Sequence, residues 1–229
     1  MRRIVLSGPS KNALGTGMME GLLRQLREAG GEPVLLTGEG DAFSAGLDLA
    51  EVHALDGEGM TRFLTLLGDL TAALYHYPGP TAVAVNGHAI AGGAVLMLMC
   101  DHRVATTNPR ARIGLNEVAL GLAFPPRLLA CVQDCVPRQH QIEVLLGAGL
   151  HEPQRALALG MVDAVAEDPV EVAAAWLERV SAHPAGAYAK AKVALRPAPA
   201  VDDKDWLRDE LETWAGEALK ARIARFVKR

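Results

Sequence analysis

The chain has 229 residues, enough to bury a full core as one domain or as a domain with a small appendage. Half of the residues are hydrophobic, 22% are charged and the net charge is −4, a balance that offers no basic face to nucleic acid or to an anionic membrane. Aromatic residues make up only 4%, leaving few platforms for stacked bases, and three cysteines are too few and too odd a set for a disulfide framework.

The chain opens on a strand-like segment, Ile4 to Ser7, with no signal-peptide pattern; with the sparse cysteines this predicts a reducing cytoplasm. Gly8-Pro9-Ser10 is a turn, after which Met18, Met19, Leu22, Leu23 and Leu26 recur at helical spacing until Gly30-Gly31 ends the helix. Val34 to Thr37 reads as a buried strand, and Gly38 to Gly46 as a glycine-punctuated loop. The helical period returns from Met60 to Tyr75 and is broken by Pro78-Gly79-Pro80, ahead of a β-branched strand from Thr81 to Val85. Asn86 to Ala91 is a second loop, and Gly92 to Met99 a buried helix. The apolar run around that helix, Ala89 to Cys100, is too short to span a bilayer.

Arg103 to Ala105 and Arg112-Ile113 are short strands. Helices then dominate: Leu128 to Cys135, Gln139 to Leu146 and Pro153 to Leu159, a strand from Met161 to Val165, and Val170 to Ser181. Arg196 to Ala200 is a Pro/Ala-rich linker. From Asp205 to Val227 a charged helix sets Leu207, Leu211, Trp214, Leu219, Ile223 and Phe226 near one face. Strand–helix alternation followed by helices predicts an α/β core over residues 1–165 and a helical region over 166–229 of the same unit.

Two glycine-containing loops are candidates for chemistry. Asp41-Ala42-Phe43-Ser44-Ala45-Gly46-Leu47-Asp48-Leu49 and Asn86-Gly87-His88-Ala89-Ile90-Ala91-Gly92-Gly93 each follow a strand and lead into a helix. A backbone N–H at such a junction has no partner within the helix and sits at the positive end of its dipole. Two such donors aimed at one point would make an oxyanion hole. The alternative is two ordinary loops whose glycines serve packing. A dinucleotide-binding reading fails, because the third glycine after Gly38 and Gly40 would fall at Phe43. A serine nucleophile elbow fails at Ala42, where a glycine is required.

Phe43 to Leu49, Ala84-Val85-Asn86-Gly87 to Gly93 and Cys100-Asp101-His102-Arg103 resemble the signature of the enoyl-CoA hydratase/isomerase (crotonase) family. Order and spacing match from Asn12-Ala13-Leu14 to Gly160-Met161-Val162-Asp163, roughly two thirds of the chain. The resemblance implies repeated ββα turns coiled into a spiral core of the ClpP/crotonase type, with C-terminal helices that assemble homotrimers or dimers of trimers. It implies a fold that begins here inside its usual second strand, shortening the first hairpin. It also implies an acyl-CoA thioester as partner, with CoA as part of the substrate and no separate cofactor or metal. The Leu47 and Gly92 amides would form the oxyanion hole. Ala45 and Leu49 would meet the adenine through backbone atoms, and Ser10 and Lys11 would lie near the ribose and phosphates.

Family hydratases hold a water between two glutamates. The position matching the first is Val95; the second is supplied as Glu117 in Ile113-Gly114-Leu115-Asn116-Glu117. Hydration needs a positioned nucleophile as well as a proton donor, whereas a double-bond shift needs one group to move a proton from C2 to C4. Asn108-Pro109-Arg110 with the Glu117 stretch is especially similar to the single-glutamate Δ3,Δ2-enoyl-CoA isomerases. Leu115, Val95, Leu96 and Phe124 are candidates for apolar surroundings that would raise the carboxyl's pKa. The stretch Gly121 to Pro126 departs from the small-residue loop of hydratases and predicts a reshaped acyl pocket. Hydration with a relocated carboxylate, or a non-catalytic acyl-CoA binder, are the competing readings.

Among other residues, Cys131 and Cys135 stand one turn apart but lack a second pair of metal ligands, which favours packing. His88 is expected to shape its loop, His102 to pair with Asp101, and Asp48 to cap a helix. Lys220, Arg222, Arg225, Lys228 and Arg229 form a basic terminus that the resemblance would bring near CoA phosphates, often those of a neighbouring subunit.

Overall fold

The computed structural model describes residues 1–227, with side chains through Ala224. In chain order the elements are β1 (Arg2–Leu6), α1 (Pro9–Asn12), α2 (Thr16–Ala29), β2 (Val34–Gly38), β3 (Ala42–Ser44), α3 (Leu49–Ala54), α4 (Gly57–Tyr75), β4 (Thr81–Val85), β5 (His88–Ile90) and α5 (Gly92–Met99). Then follow β6 (His102–Thr106), β7 (Ile113–Gly114), α6 (Pro126–Cys135), α7 (Pro153–Ala158), β8 (Ala164–Ala166), α8 (Pro169–Ser181), α9 (Ala185–Leu195), α10 (Lys204–Ala215) and α11 (Glu217–Val227).

The strands form two parallel sheets, a five-stranded one in the order β1-β2-β4-β6-β8 and a three-stranded one in the order β3-β5-β7. Each of β2, β4 and β6 is followed at once by its small-sheet partner and then by helix, so the chain repeats a ββα turn. In-register pairs such as Leu36↔Val83 and Val83↔Arg103 stack the turns on one another. Close stacking requires Gly87, where a Cβ would stand 1.8 Å from the Asp41 carbonyl oxygen of the preceding turn.

The core lies between the sheets and α2, α4 and α5. All eight residues of α5 are buried, which explains why it shows no polar face. On the other side of the large sheet, Ala173 and Leu177 of α8 cover Leu35, Ala82, Ala84 and Val104. Helix α9 is docked by charge: Lys192 Nζ lies 2.7 Å and Arg196 Nη1 3.2 Å from the Asp101 carboxylate, and all three side chains are largely buried. Such a triad is tolerated because carbonyls complete it, the Lys192 ammonium donating to Gly79 O and the Arg196 guanidinium to Met99 O and Cys100 O.

Several expectations are corrected. The two glycine loops each contain a three-residue strand, β3 and β5, too short to show alternation in sequence. Asp205 to Val227 is two helices, broken where Gly216 turns extended (φ −79°, ψ 159°). Gln139 to Leu146 is a 3-10 turn followed by a π-helical turn, and the strand expected from Met161 begins at Ala164. Helix α9 escaped the sequence reading because its Ala-rich stretch lacks an apolar stripe. Asp101 does not pair with His102. Asp101 holds α9, and the His102 ring stacks on Trp176 with Nδ1 3.7 Å from Asp163.

Candidate active site

The ends of β3, β5 and β7 converge on a cavity of about 300 Å³. Its first wall is built from Ala45 to Leu49. Leu14 donates to Gly46 O (2.7 Å) and accepts from the Asp48 amide (3.1 Å), a parallel bridge that leaves the intervening Leu47 N–H pointing away from that strand. Gly46 allows this with φ +97°, and a Cβ there would stand 2.8 Å from Ile90 O. Ser44 Oγ donates to Asn12 O and accepts from Gly46 N, tying the turn from below. Asp48 caps α3 by accepting from the Ala50 and Glu51 amides, as expected.

The second wall is the β5–α5 junction. Ala91 holds φ 48°, ψ −121°, a conformation costing an alanine on the order of 1–3 kcal/mol. It is enforced by Ala91 N donating to Gly114 O (2.9 Å) and Val95 N donating to Ala91 O (2.9 Å). The strained residue turns strand into helix in one step and leaves Gly92 N–H as the first amide of α5, without an intrahelical acceptor. The two walls touch, since a Cβ on Gly92 would lie 3.1 Å from the Leu47 side chain. Among the described residues, neither the Leu47 nor the Gly92 amide donates a hydrogen bond.

Glu117 forms the third wall. The bond from Ala91 N fixes Gly114, and three residues later Glu117 begins a 3-10 turn, its carbonyl accepting from the Leu120 and Leu122 amides. The residue is only 8% exposed and its Oε2 has no partner. Burial pushes its carboxyl up to about 7, against the pull of its own and the Asn116 backbone amides. Among the described residues, no other carboxylate lines the cavity.

Ala45, Leu47, Leu49, Gly92, Val95, Glu117 and Phe124 therefore share one cavity. Ser10 and Lys11 stand outside it, on an exposed left-handed turn where Lys11 pairs with Asp41 at 3.1 Å. Leu96 and Leu115 are buried but do not reach the wall. His88 also stays off the wall, and among the described residues no cluster could hold a metal ion. Sequence reasoning missed Asn116 and Trp214 as lining residues. Asn116 adjoins Glu117 and so carried a signal; Trp214 is brought from α10 by tertiary packing and carried none. Of the basic terminus, Lys220 pairs with Glu217 (3.8 Å) and Arg222 donates to Leu120 O (2.6 Å) of its own chain. The Arg225 side chain and Lys228 and Arg229 lie outside the described residues.

Comparison with known proteins gives the same class. The profile of the family described as "Enoyl-CoA hydratase/isomerase" matches residues 2–205. A Thermus thermophilus protein carrying an enoyl-CoA hydratase name is 37% identical over 171 residues, 71% of this chain and 66% of that protein. The mouse mitochondrial enoyl-CoA delta isomerase 1 is 35% identical over 139 residues, 60% of this chain and 48% of that protein. Either match thus spans slightly or well under two thirds of the relative's own length. The crystal structure of human mitochondrial delta3-delta2-enoyl-CoA isomerase shares the fold with a TM-score of 0.87 at 25% identity, covering 99% of this chain and 93% of that one. That of enoyl-CoA hydratase from Bacillus halodurans, at 24% identity, a TM-score of 0.83 and coverage of 97% and 95%, is a likeness of fold alone. The chain belongs to the enoyl-CoA hydratase/isomerase family and has the crotonase fold.

Proposed function

We propose that the protein shifts the double bond of an enoyl-CoA thioester, with Glu117 as the proton shuttle. The observation that carries this reading is that Glu117 is, among the described residues, the single carboxylate lining the cavity, where Val95 offers no second acid or base. In the reaction Glu117 takes a proton from C2 of a 3-enoyl thioester. The electron pair moves onto the thioester oxygen as a dienolate, which the Leu47 and Gly92 amides stabilise. Glu117 then returns the proton at C4, leaving the double bond between C2 and C3. A carboxyl raised to about 7 suits both steps, because neither its base nor its acid form is scarce near neutral pH. The reading needs no resident cofactor. Assembly into trimers or dimers of trimers accompanies it, with apolar surface available at Ile142, Leu146 and Leu195, and light scattering of the purified chain tests it.

Hydration is the second reading, favoured by the hydratase name of the Thermus relative and by Asn116, whose Oδ1 is buried without a partner on the same wall. An amide oxygen can accept a hydrogen bond from a water but cannot take its proton, so Glu117 would have to activate the water alone. The deciding experiment supplies 3-enoyl-CoA and 2-enoyl-CoA separately to wild type and Glu117→Gln. Isomerisation that drops about 10²–10⁴-fold in the variant supports the proposal; hydration of the 2-enoyl substrate outpacing isomerisation overturns it. Binding without turnover, unchanged by the mutation, would leave a non-catalytic acyl-CoA binder.

A further inference from the structure

We propose that Trp214, carried by the C-terminal hairpin of this same chain, sets how long an acyl chain the cavity accepts. The inference rests on the thioester-binding reading above, but not on isomerisation. Trp214 is 3% exposed, lines the cavity, and stands next to the end of α10, where Leu207, Leu211 and Trp214 face the core. Its ring is held edge-on by Trp206, with centroids 6.5 Å apart. Behind it lies a separate apolar void of about 20 Å³, lined by Val52, Leu219 and Ile223. Leu47, Leu49, Leu120, Leu122 and Trp214 line both spaces, and the indole is the largest group of that partition.

The hairpin also contacts another part of the cavity wall. Arg222 of α11 donates to Leu120 O, and Asp203, at the start of α10, accepts from Arg127 N at 3.0 Å. The stretch between those anchors contains Leu122 to Pro125, which lines the cavity. Both the indole and the Leu122–Pro125 wall are thus attached to the same C-terminal hairpin of this chain. A space of about 300 Å³ is at the lower end of ligand pockets, roughly 300–1,000 Å³, which fits a chain of limited length. The void alone would add room for about one water-sized group, so the indole volume itself is the main limit.

The test measures binding, by calorimetry, of hexanoyl-, decanoyl- and hexadecanoyl-CoA to wild type, Trp214→Ala, Trp214→Leu and Trp214→Phe. Saturated thioesters keep the result independent of double-bond chemistry. Each buried methylene is worth roughly fourfold in affinity. Wild type should stop gaining affinity before hexadecanoyl-CoA. Trp214→Ala should raise the hexadecanoyl-to-hexanoyl affinity ratio about tenfold or more, Trp214→Leu by less, and Trp214→Phe by less than about threefold. An unchanged ratio in both Trp214→Ala and Trp214→Leu, in protein with native circular dichroism, overturns the proposal, as does an equal shift in Trp214→Phe. If no acyl-CoA binds wild type at all, it is the thioester reading that fails. If Trp214→Ala does not fold, the Leu and Phe variants decide.

Discussion

The amide side of the cavity and its carboxylate side are built on opposite physical terms. On the amide side every turn is over-determined: Gly46 is bonded at both N and O, and Ala91 is held in a strained conformation by two backbone bonds. On the carboxylate side the polar groups are left unsatisfied, with Glu117 Oε2, Asn116 Oδ1 and Trp214 Nε1 all buried and unpartnered. The contrast fits the reaction proposed for the cavity. Donors that stabilise developing charge work best when they need not reorganise. A base that delivers its proton to a second carbon must be free of fixed partners and tuned towards neutral pH by desolvation.

The sharpest way to break the comparison is to disturb the rigid side. In Gly46→Ala a new Cβ would meet Ile90 O at 2.8 Å from a residue at φ +97°, displacing the Leu47 amide. Turnover is expected to fall about 10²–10³-fold, the usual cost of losing one oxyanion donor. Gly17→Ala, where a Cβ meets nothing within 4 Å on α2, should leave turnover unchanged and serves as the control. Steady-state kinetics on both variants check this, and an active Gly46→Ala enzyme would show that the first loop is not part of the hole.

The carboxylate side should show the reverse trade, where loss of function brings stability. A carboxyl whose folded-state pKa is about 7 against an ordinary 4.5 binds its proton more tightly when folded. The contribution of this group to stability is therefore greatest below about pH 4.5, falls as pH rises to about 7, and is level above that. The buried charge costs at most about 3 kcal/mol at alkaline pH. Glu117→Gln should thus melt higher than wild type at pH 8 by the equivalent of about 1–3 kcal/mol, the gap narrowing towards pH 4.5. Calorimetric melts at the two pH values check it, and a gap that does not depend on pH would mean Glu117 is not desolvated. The same titration predicts that kcat/KM for isomerisation rises with pH through about 7 and then levels, because the first step needs the carboxylate.

Much of the amide side was legible in the sequence. Thr81–Val85 and Gly92–Met99 were readable to the residue because a β-branched run and a wholly apolar run each begin at Gly or Pro punctuation and end at a polar or charged break. Leu47 and Gly92 were named through the family resemblance, and both line the cavity. β3 and β5 were not readable, since three residues without alternation gain their pairing only from the neighbouring turn of the coil. The carboxylate side was half legible. Glu117 and Val95 stand out through the family resemblance, whereas Trp214 reaches the cavity through the docking of α10 against the core, which no local pattern directs to this cavity.

The smallest expected effect probes the one place where the carboxylate side borrows rigidity. Arg222 Nη1 donates to Leu120 O at 2.6 Å, and Leu120 N in turn donates to the Glu117 carbonyl at 2.9 Å. The guanidinium is exposed, so water replaces it readily and Arg222→Gln should lower stability by less than about 1 kcal/mol. If the clamp only supports the fold, kcat and KM should stay as they are. If it holds the Glu117 turn at the distance proton transfer requires, kcat should fall about two- to fivefold with KM unchanged, since misplacement of a reacting group is felt in the transition state. Lys220→Gln, which removes only the 3.8 Å pair with Glu217 on the same helix, should change neither. A kcat effect confined to Arg222 would show that the C-terminal hairpin lends the poised side of the site the order that backbone bonds give to the other.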